Sequence, residues 1–167
     1  MSRAFVNEDN AAAQADQPVE RQVSTQPNYV TPEGLALLQA KVAELQTLHG
    51  EQAAREEADP QWLADLERDL RYFTQRLQSA QVVTPATSTK KVQIGSWVTY
   101  ADELGTERRV QLVGEDQAAA AKGLINWSSP LGRALLGAQL NDEVLWQRPA
   151  GNQLIEIIRI EPGQTTP

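Results

Sequence analysis

Cysteine is absent from the chain and histidine occurs once, at His49. The first absence excludes disulfides, thiolate catalysis and cysteine-based zinc sites, and the second excludes any metal site built from several imidazoles. No apolar run approaches the roughly 20 residues that a membrane-spanning helix needs. Positive charge is in deficit: 15 Lys and Arg against 22 Asp and Glu leave a formal charge of −7. Phosphate contacts need clustered cations, so any contact with nucleic acid is expected to be indirect. Glycine-rich phosphate loops, nucleophile elbows and Ser/His/Asp sets are missing too. The start, Met1-Ser-Arg-Ala-Phe-Val-Asn-Glu-Asp9, has neither a basic nor an apolar region of a secretory signal. The expectation is a soluble, cytoplasmic chain with no membrane partner and no cofactor of its own.

What is present is a pair of amphipathic segments. With 167 residues and 41% hydrophobic content, the chain has room for one or two small domains. Leu63, Leu66, Leu70, Phe73, Leu77 and Ala80 recur at alternating spacings of three and four, the seam pattern of a coiled coil, and Leu35, Leu38, Val42 and Leu45 repeat it. Between them lies a polar turn, 51–60, with Asp59 as helix cap and Pro60 at the first helical position. Folding the halves antiparallel sets Leu38 near Leu77, Val42 near Phe73 and Leu45 near Leu70. Residues 29–83 therefore form a helical hairpin with an arm of roughly 33 Å at 1.5 Å per residue. Such an arm needs a body at its base and leaves a free end to project. Thr31 caps the first helix ahead of Pro32, and Gly34 permits close packing near its start. His49 near the tip packs or snorkels, Trp62 covers the hairpin end, and Arg68 and Arg71 lie off the seam and are solvated by default, with Arg68 also able to pair with the neighbours of Glu67 or face a partner. Residues 1–28, rich in Ala, Gln, Asn and acids without periodicity, read as a disordered tail.

After a polar, proline-containing linker at 84–91, strand-formers take over. Strands are expected over Val92–Tyr100, Thr106–Val113, Gly123–Trp127, Val144–Pro149 and Leu154–Ile160, the last with alternation at Leu154, Glu156 and Ile158. Ser129, Pro130 and Gly137 punctuate one short helix. Residues 92–162 thus make a small antiparallel sheet with one helix across it, so the chain as a whole is α+β, with a tail at 163–167. Glu56, Glu57 and Asp59 are the carboxylates in a special place, the hairpin tip. They either help hold a divalent cation whose other ligands lie elsewhere, or keep a turn soluble and cap the second helix.

The order of these parts resembles the bacterial Gre transcript-cleavage and elongation factors. The likeness is carried by Tyr29-Val-Thr-Pro-Glu-Gly-Leu35, Leu70-Arg-Tyr-Phe-Thr-Gln-Arg-Leu77, Ile94-Gly-Ser-Trp-Val98, Leu112-Val-Gly-Glu-Asp116, Ser129-Pro-Leu-Gly-Arg-Ala-Leu-Leu-Gly137 and Pro149-Ala-Gly151. It implies a coiled-coil hairpin joined to a domain like FK506-binding proteins but without isomerase function. It further implies docking on bacterial RNA polymerase at the rim of the secondary channel, through a loop matched by Ser129 and Pro130, with Trp127, Ser128, Leu131 and Arg133 beside them; a monomer is expected. Cleavage-competent members carry an Asp-x-x-Glu-Asn tip whose acids help the polymerase hold its second Mg²⁺. This chain has no such string, and its helices look shorter by about two turns each, roughly 10 Å. Mg²⁺ is therefore expected only through the polymerase active site, and Glu56, Glu57 and Asp59 do not match the motif. Asn141-Asp142 stands where the family usually has Gly-Asp, a change that Asn tolerates in left-handed backbone. The resemblance points to a polymerase-binding elongation factor without efficient cleavage and with no catalytic site of its own. The alternatives are an active cleavage factor using Glu56, Glu57 and Asp59, and an interaction adaptor unrelated to polymerase.

Overall fold

The computed structural model describes residues 19–163. Residues 1–18 and 164–167, most of the two tails expected from sequence, lie outside the described residues. Among the described residues two compact units emerge, one of 19–24 with Gln39–Gln78 and one of Thr25–Leu38 with 79–163.

The first unit is built on helix α1 (Pro32–Ala53), which begins in the second unit, and helix α2 (Pro60–Ser79). Both start where their caps place them. The Thr31 hydroxyl accepts from the Gly34 amide at 3.0 Å. Asp59 Oδ1 accepts from the amides of Gln61 at 3.0 Å and Trp62 at 3.4 Å, satisfying donors that a helix start otherwise leaves open. Contacts across the helices agree with the expected antiparallel register. The Lys41 ammonium lies 5.9 Å from the Phe73 ring centroid, and His49 Nε2 is 3.0 Å from Glu67 Oε1, each one residue from the seam pairing read in sequence. The Arg55 guanidinium over Trp62, at 5.9 Å, dresses the turn.

The seam differs from expectation in its later part. Leu45 and Leu66 are buried, but Tyr72 and Arg76 are buried as well, while Leu70, Phe73 and Leu77 are half-buried. Tyr72 is buried because α2 packs on a second face. Residues 19–24, expected to be disordered, lie against it: Arg21 sits 4.0 Å from the Tyr72 ring centroid and 5.0 Å from that of Phe73. Two helices alone would leave that flank to solvent. Arg71, read as solvated, is paired with Glu20, and Arg68 bonds Asp69 at 3.2 Å.

In the second unit, strands β1 (Tyr29–Val30) and β2 (Gln81–Val82) pair in parallel. The main sheet contains β3 (Trp97–Ala101), β4 (Glu107–Val113), β5 (Leu124–Asn126), β6 (Glu143–Trp146) and β7 (Gln153–Glu161), in the order β5-β4-β3-β7-β6. It is mixed where an antiparallel sheet was expected, because β5 runs parallel to β4. Two short 3₁₀ turns, Glu115–Gln117 and Ala120–Lys122, return the chain before β5 begins, which a hairpin could not do. β3 starts five residues later than its strand-formers suggest, since Gly95 at φ +102° breaks the run. Val92 instead bonds Ala138 and Gly137 through its backbone.

Along β7 the buried residues are Ile155, Ile157 and Ile160. The alternating set read in sequence, Leu154, Glu156 and Ile158, is the outer one. A register shift in the pairing with β3, from Tyr100 opposite Ile157 to Thr99 opposite Arg159, leaves Ile158 as the extra residue and returns Ile160 to the core. Helix α3 (Pro130–Leu135) covers the inner face, with Leu131 and Leu135 packed among Val98, Tyr100, Leu112 and Ile157. Burial of each such side chain contributes about 2 kcal/mol. Asn141 holds a left-handed φ of 71°, as its place in the motif requires. Residues 84–91, the expected linker, belong to this unit: Ala86 is buried and its carbonyl accepts from the Gly163 amide at 2.9 Å.

Candidate functional site

The loop between β5 and α3 is organised by Asn126. Its side-chain oxygen accepts from both the amide and the hydroxyl of Ser128, each at 3.0 Å. Its carbonyl accepts from the Ser129 hydroxyl at 2.6 Å and the Ser129 amide at 3.0 Å. Ser129 then turns its oxygen to the Gly132 amide at 3.1 Å and starts α3, with Pro130 supplying a preset φ at the first helical position. Arg133 Nε donates to the Ser128 carbonyl at 2.9 Å, closing the loop back onto the helix. The approach is close enough to demand glycine at 132, where a Cβ would meet the Asn126 carbonyl oxygen at 2.2 Å and the Trp127 one at 2.6 Å.

This geometry sorts the six expected docking residues. Pro130 and Arg133 are exposed, Ser128 and Ser129 are half-buried, and Trp127 is half-buried with its ring 5.3 Å from Tyr29. Leu131 does not belong with them: it is 7% exposed and part of the core. A six-residue helix lying on a sheet turns one face inward, and Leu131 and Leu135 are spaced as that face. Asn126 and Gly132 were not singled out from sequence. The signal for Asn126 was there, an Asn two residues before a Ser, the spacing of an Asx turn.

Beside the loop the sheet is concave. A groove of about 1080 Å³ runs over Tyr100, Ile125, Leu131 and Trp146, with Arg108 and Arg148 among its lining residues. Tyr100 and Trp146 meet edge to face at 6.3 Å, and Arg148 lies 5.1 Å from the Trp146 ring centroid. Burial pushes the Tyr100 phenol above its ordinary value; Arg108 and Arg148 oppose the shift and Asp102 adds to it. The groove thus has an apolar floor and cationic flanks in an otherwise acidic chain.

At the hairpin turn Glu56, Glu57 and Asp59 are all exposed. Asp59 is committed to capping α2, and among the described residues no group of three or more His, Cys, Asp or Glu side chains is arranged to hold a metal ion. The three tip acids do not form a ligand set by themselves.

Residues 87–162 match the family described as transcription elongation factor, GreA/GreB, C-terminal. Over 150 aligned positions the chain is 33% identical to the transcription elongation factor GreB of Pseudomonas aeruginosa, with 79% of this chain and 89% of that one covered. The chain belongs to the GreA/GreB family of transcription elongation factors. It is also 30% identical to GreA of Ruegeria pomeroyi, covering 79% of this chain and 96% of that one. The crystal structure of GreA factor homolog 1 from Thermus thermophilus matches at 20% identity and TM-score 0.40, over 81% of this chain and 99% of that one. The family match spans the whole organised loop, from Asn126 to Gly132. The GreB alignment has 150 positions, but 79% of 167 residues is about 132, so about 18 aligned positions have no residue here. Among the described residues no helix is long and apolar enough to cross a membrane.

Proposed function

We propose that this Gre-family chain binds bacterial RNA polymerase at the rim of the secondary channel and regulates elongation by placing its hairpin in that channel, without stimulating efficient transcript cleavage. Docking falls to the loop of Ser128, Ser129, Pro130 and Arg133, with Trp127 bracing it on Tyr29 and the adjoining groove offering an apolar seat. Leu131 is the core residue beneath and shares in the floor of that groove.

The observation that carries the non-cleaving part is the state of Asp59. Its carboxylate accepts two backbone amides at the start of α2, which leaves Glu56 and Glu57 as the acids at the turn free of that duty. Shared coordination of a hard cation needs several oxygen ligands converging at about 2 Å, and two acids on a turn do not supply the family's Asp-x-x-Glu-Asn set. Set beside the family segment that Arg71-Tyr-Phe-Thr74 resembles, each helix of the hairpin is shorter by about two turns, roughly 10 Å. A tip withdrawn by that much lies well outside the tolerance for positioning a catalytic ligand. The chain acts as a channel occupant and contributes no catalytic site of its own.

The test is transcript cleavage on backtracked complexes. The native chain and the Glu56→Ala/Glu57→Ala/Asp59→Ala variant are expected to give the same slow shortening. Rapid shortening by the native chain that disappears in the variant sinks this reading in favour of a cleavage factor. Docking is read separately by capture on core polymerase, where Pro130→Ala/Arg133→Glu weakens binding. Undiminished capture removes the loop from the interface.

A further inference from the structure

The segment ahead of β1 makes a set of contacts that neither the hairpin nor the docking loop requires. Glu20 pairs with Arg71 through two bonds, one of them from Arg71 Nε at 3.2 Å and the other from Arg71 Nη2. The next residue, Arg21, reaches Asp69 at 3.4 Å while its guanidinium covers the Tyr72 ring at 4.0 Å and approaches Phe73. Tyr72 and Phe73 themselves meet edge to face at 4.9 Å, so the arginine is received by an aromatic pair flanked by one acid and one base. Two adjacent side chains of opposite charge thus meet a complementary four-residue patch on α2.

We propose that the flank of α2 bearing Asp69, Arg71, Tyr72 and Phe73 is a recognition surface for a peptide that carries a glutamate followed by an arginine. In the free protein its own Glu20 and Arg21 fill it. Several features fit a displaceable occupant. The ion pairs are open to water, with Arg21 and Asp69 side chains 40% and 29% exposed and Arg71 and Glu20 53% and 61% exposed. Exposed pairs hold weakly, and a guanidinium over a ring adds a modest, orientation-dependent attraction. Val19, next to Glu20, is 85% exposed and adds no apolar contact beside the pair, while Val23 farther along is half-buried. Beneath the arginine, however, Tyr72 is only 7% exposed, so release of the segment uncovers an aromatic surface ready for another guanidinium. The segment is an internal competitor: a partner presenting the same acid-arginine pair must displace it.

The full chain tests this in two ways. Trypsin should cut after Arg21 slowly in the native protein and roughly fivefold to tenfold faster in Arg71→Glu, as expected from losing one or two exposed contacts. Arg71→Lys, which keeps the positive charge opposite Glu20, should stay closer to native protection. Separately, a labelled peptide of residues 19–26 is titrated into the millimolar range, where a tethered competitor acts at comparable effective concentration. It should bind the released variant Glu20→Ala/Arg21→Ala more tightly than the native chain and perturb the amides around Asp69–Phe73. A peptide with Arg21→Ala should not bind. Equal cutting in native and Arg71→Glu chains overturns the proposal, as does equal uptake of the native and Arg21→Ala peptides.

Discussion

Single side chains decide how the loop between β5 and α3 is held. Gly132 is the sharpest case, because a methyl group there collides with two carbonyl oxygens of the loop while leaving the core side of α3 untouched. Gly132→Ala should therefore push Asn126–Trp127 away from the helix and lower polymerase capture at least as much as Pro130→Ala. The C-terminal unit should lose about 1 to 3 kcal/mol of stability in urea unfolding. Leu131 is a different kind of residue, and an acid placed there would bury a charge among Val98 and Ile157, which makes it unusable as a probe of docking. At the clasp on α2, Glu20 titrates below the ordinary glutamate range because Arg71 hydrogen-bonds its carboxylate, with Arg68 adding attraction. A lowered folded-state value means the clasp is complete above the unfolded value and is lost as pH falls through the lowered one. Nitrogen-15 relaxation of Gln22 and Val23 should show them held at neutral pH and loosened only below the usual glutamate range. Arg71, raised by the same bond, stays charged throughout. Asp69 and Glu67 also face this cluster, and concentrated salt at neutral pH should loosen it too.

Among the elements, the hairpin was legible because its information is local: a repeat of three and four on each helix, a cap and a proline fix both the turn and the pairing. Asp59→Ala should test the turn directly, removing the acceptor for Gln61 and Trp62 and costing about 1 kcal/mol, read as fraying of the first turn of α2 by hydrogen exchange. The burial of Tyr72 was not legible, since it depends on Arg21, some fifty residues away, and no periodicity in either segment announces the meeting. The strands of the sheet were readable from their β-branched and aromatic runs, but their faces were less so. Leu154 and Ile158 are as apolar as Ile155 and Ile157, and only the bulge at Ile158 and the position of α3 decide which set is covered. The parallel course of β5 escaped for a related reason: two single-turn helices in an alanine-rich connection leave no repeating signal of direction. Within the loop between β5 and α3, Ser129 and Pro130 were readable as helix punctuation, whereas Leu131 needed its partner Leu135 to be recognised as core.

At the scale of the whole molecule, charge and family membership point the same way. A chain with formal charge −7 and no basic run has little to offer a phosphate backbone, so the isolated protein should not retard duplex or single-stranded nucleic acid in a gel shift, even at low salt. Retardation should appear only when polymerase is added. The sheet order also sets a sequence of events in time. Strands β3 and β4, β4 and β5, and β6 and β7 pair across short stretches of chain, but β3 meets β7 only when Trp97 reaches Glu161 from the far end of the unit. Chain closure of that kind is slow compared with hairpin formation. Refolding molecules should therefore form the β3–β4, β4–β5 and β6–β7 pairs before the sheet closes, and pulse-labelling should find the amides of the β3–β7 ladder among the last protected. A young copy of this factor would hold its local turns before its frame is locked.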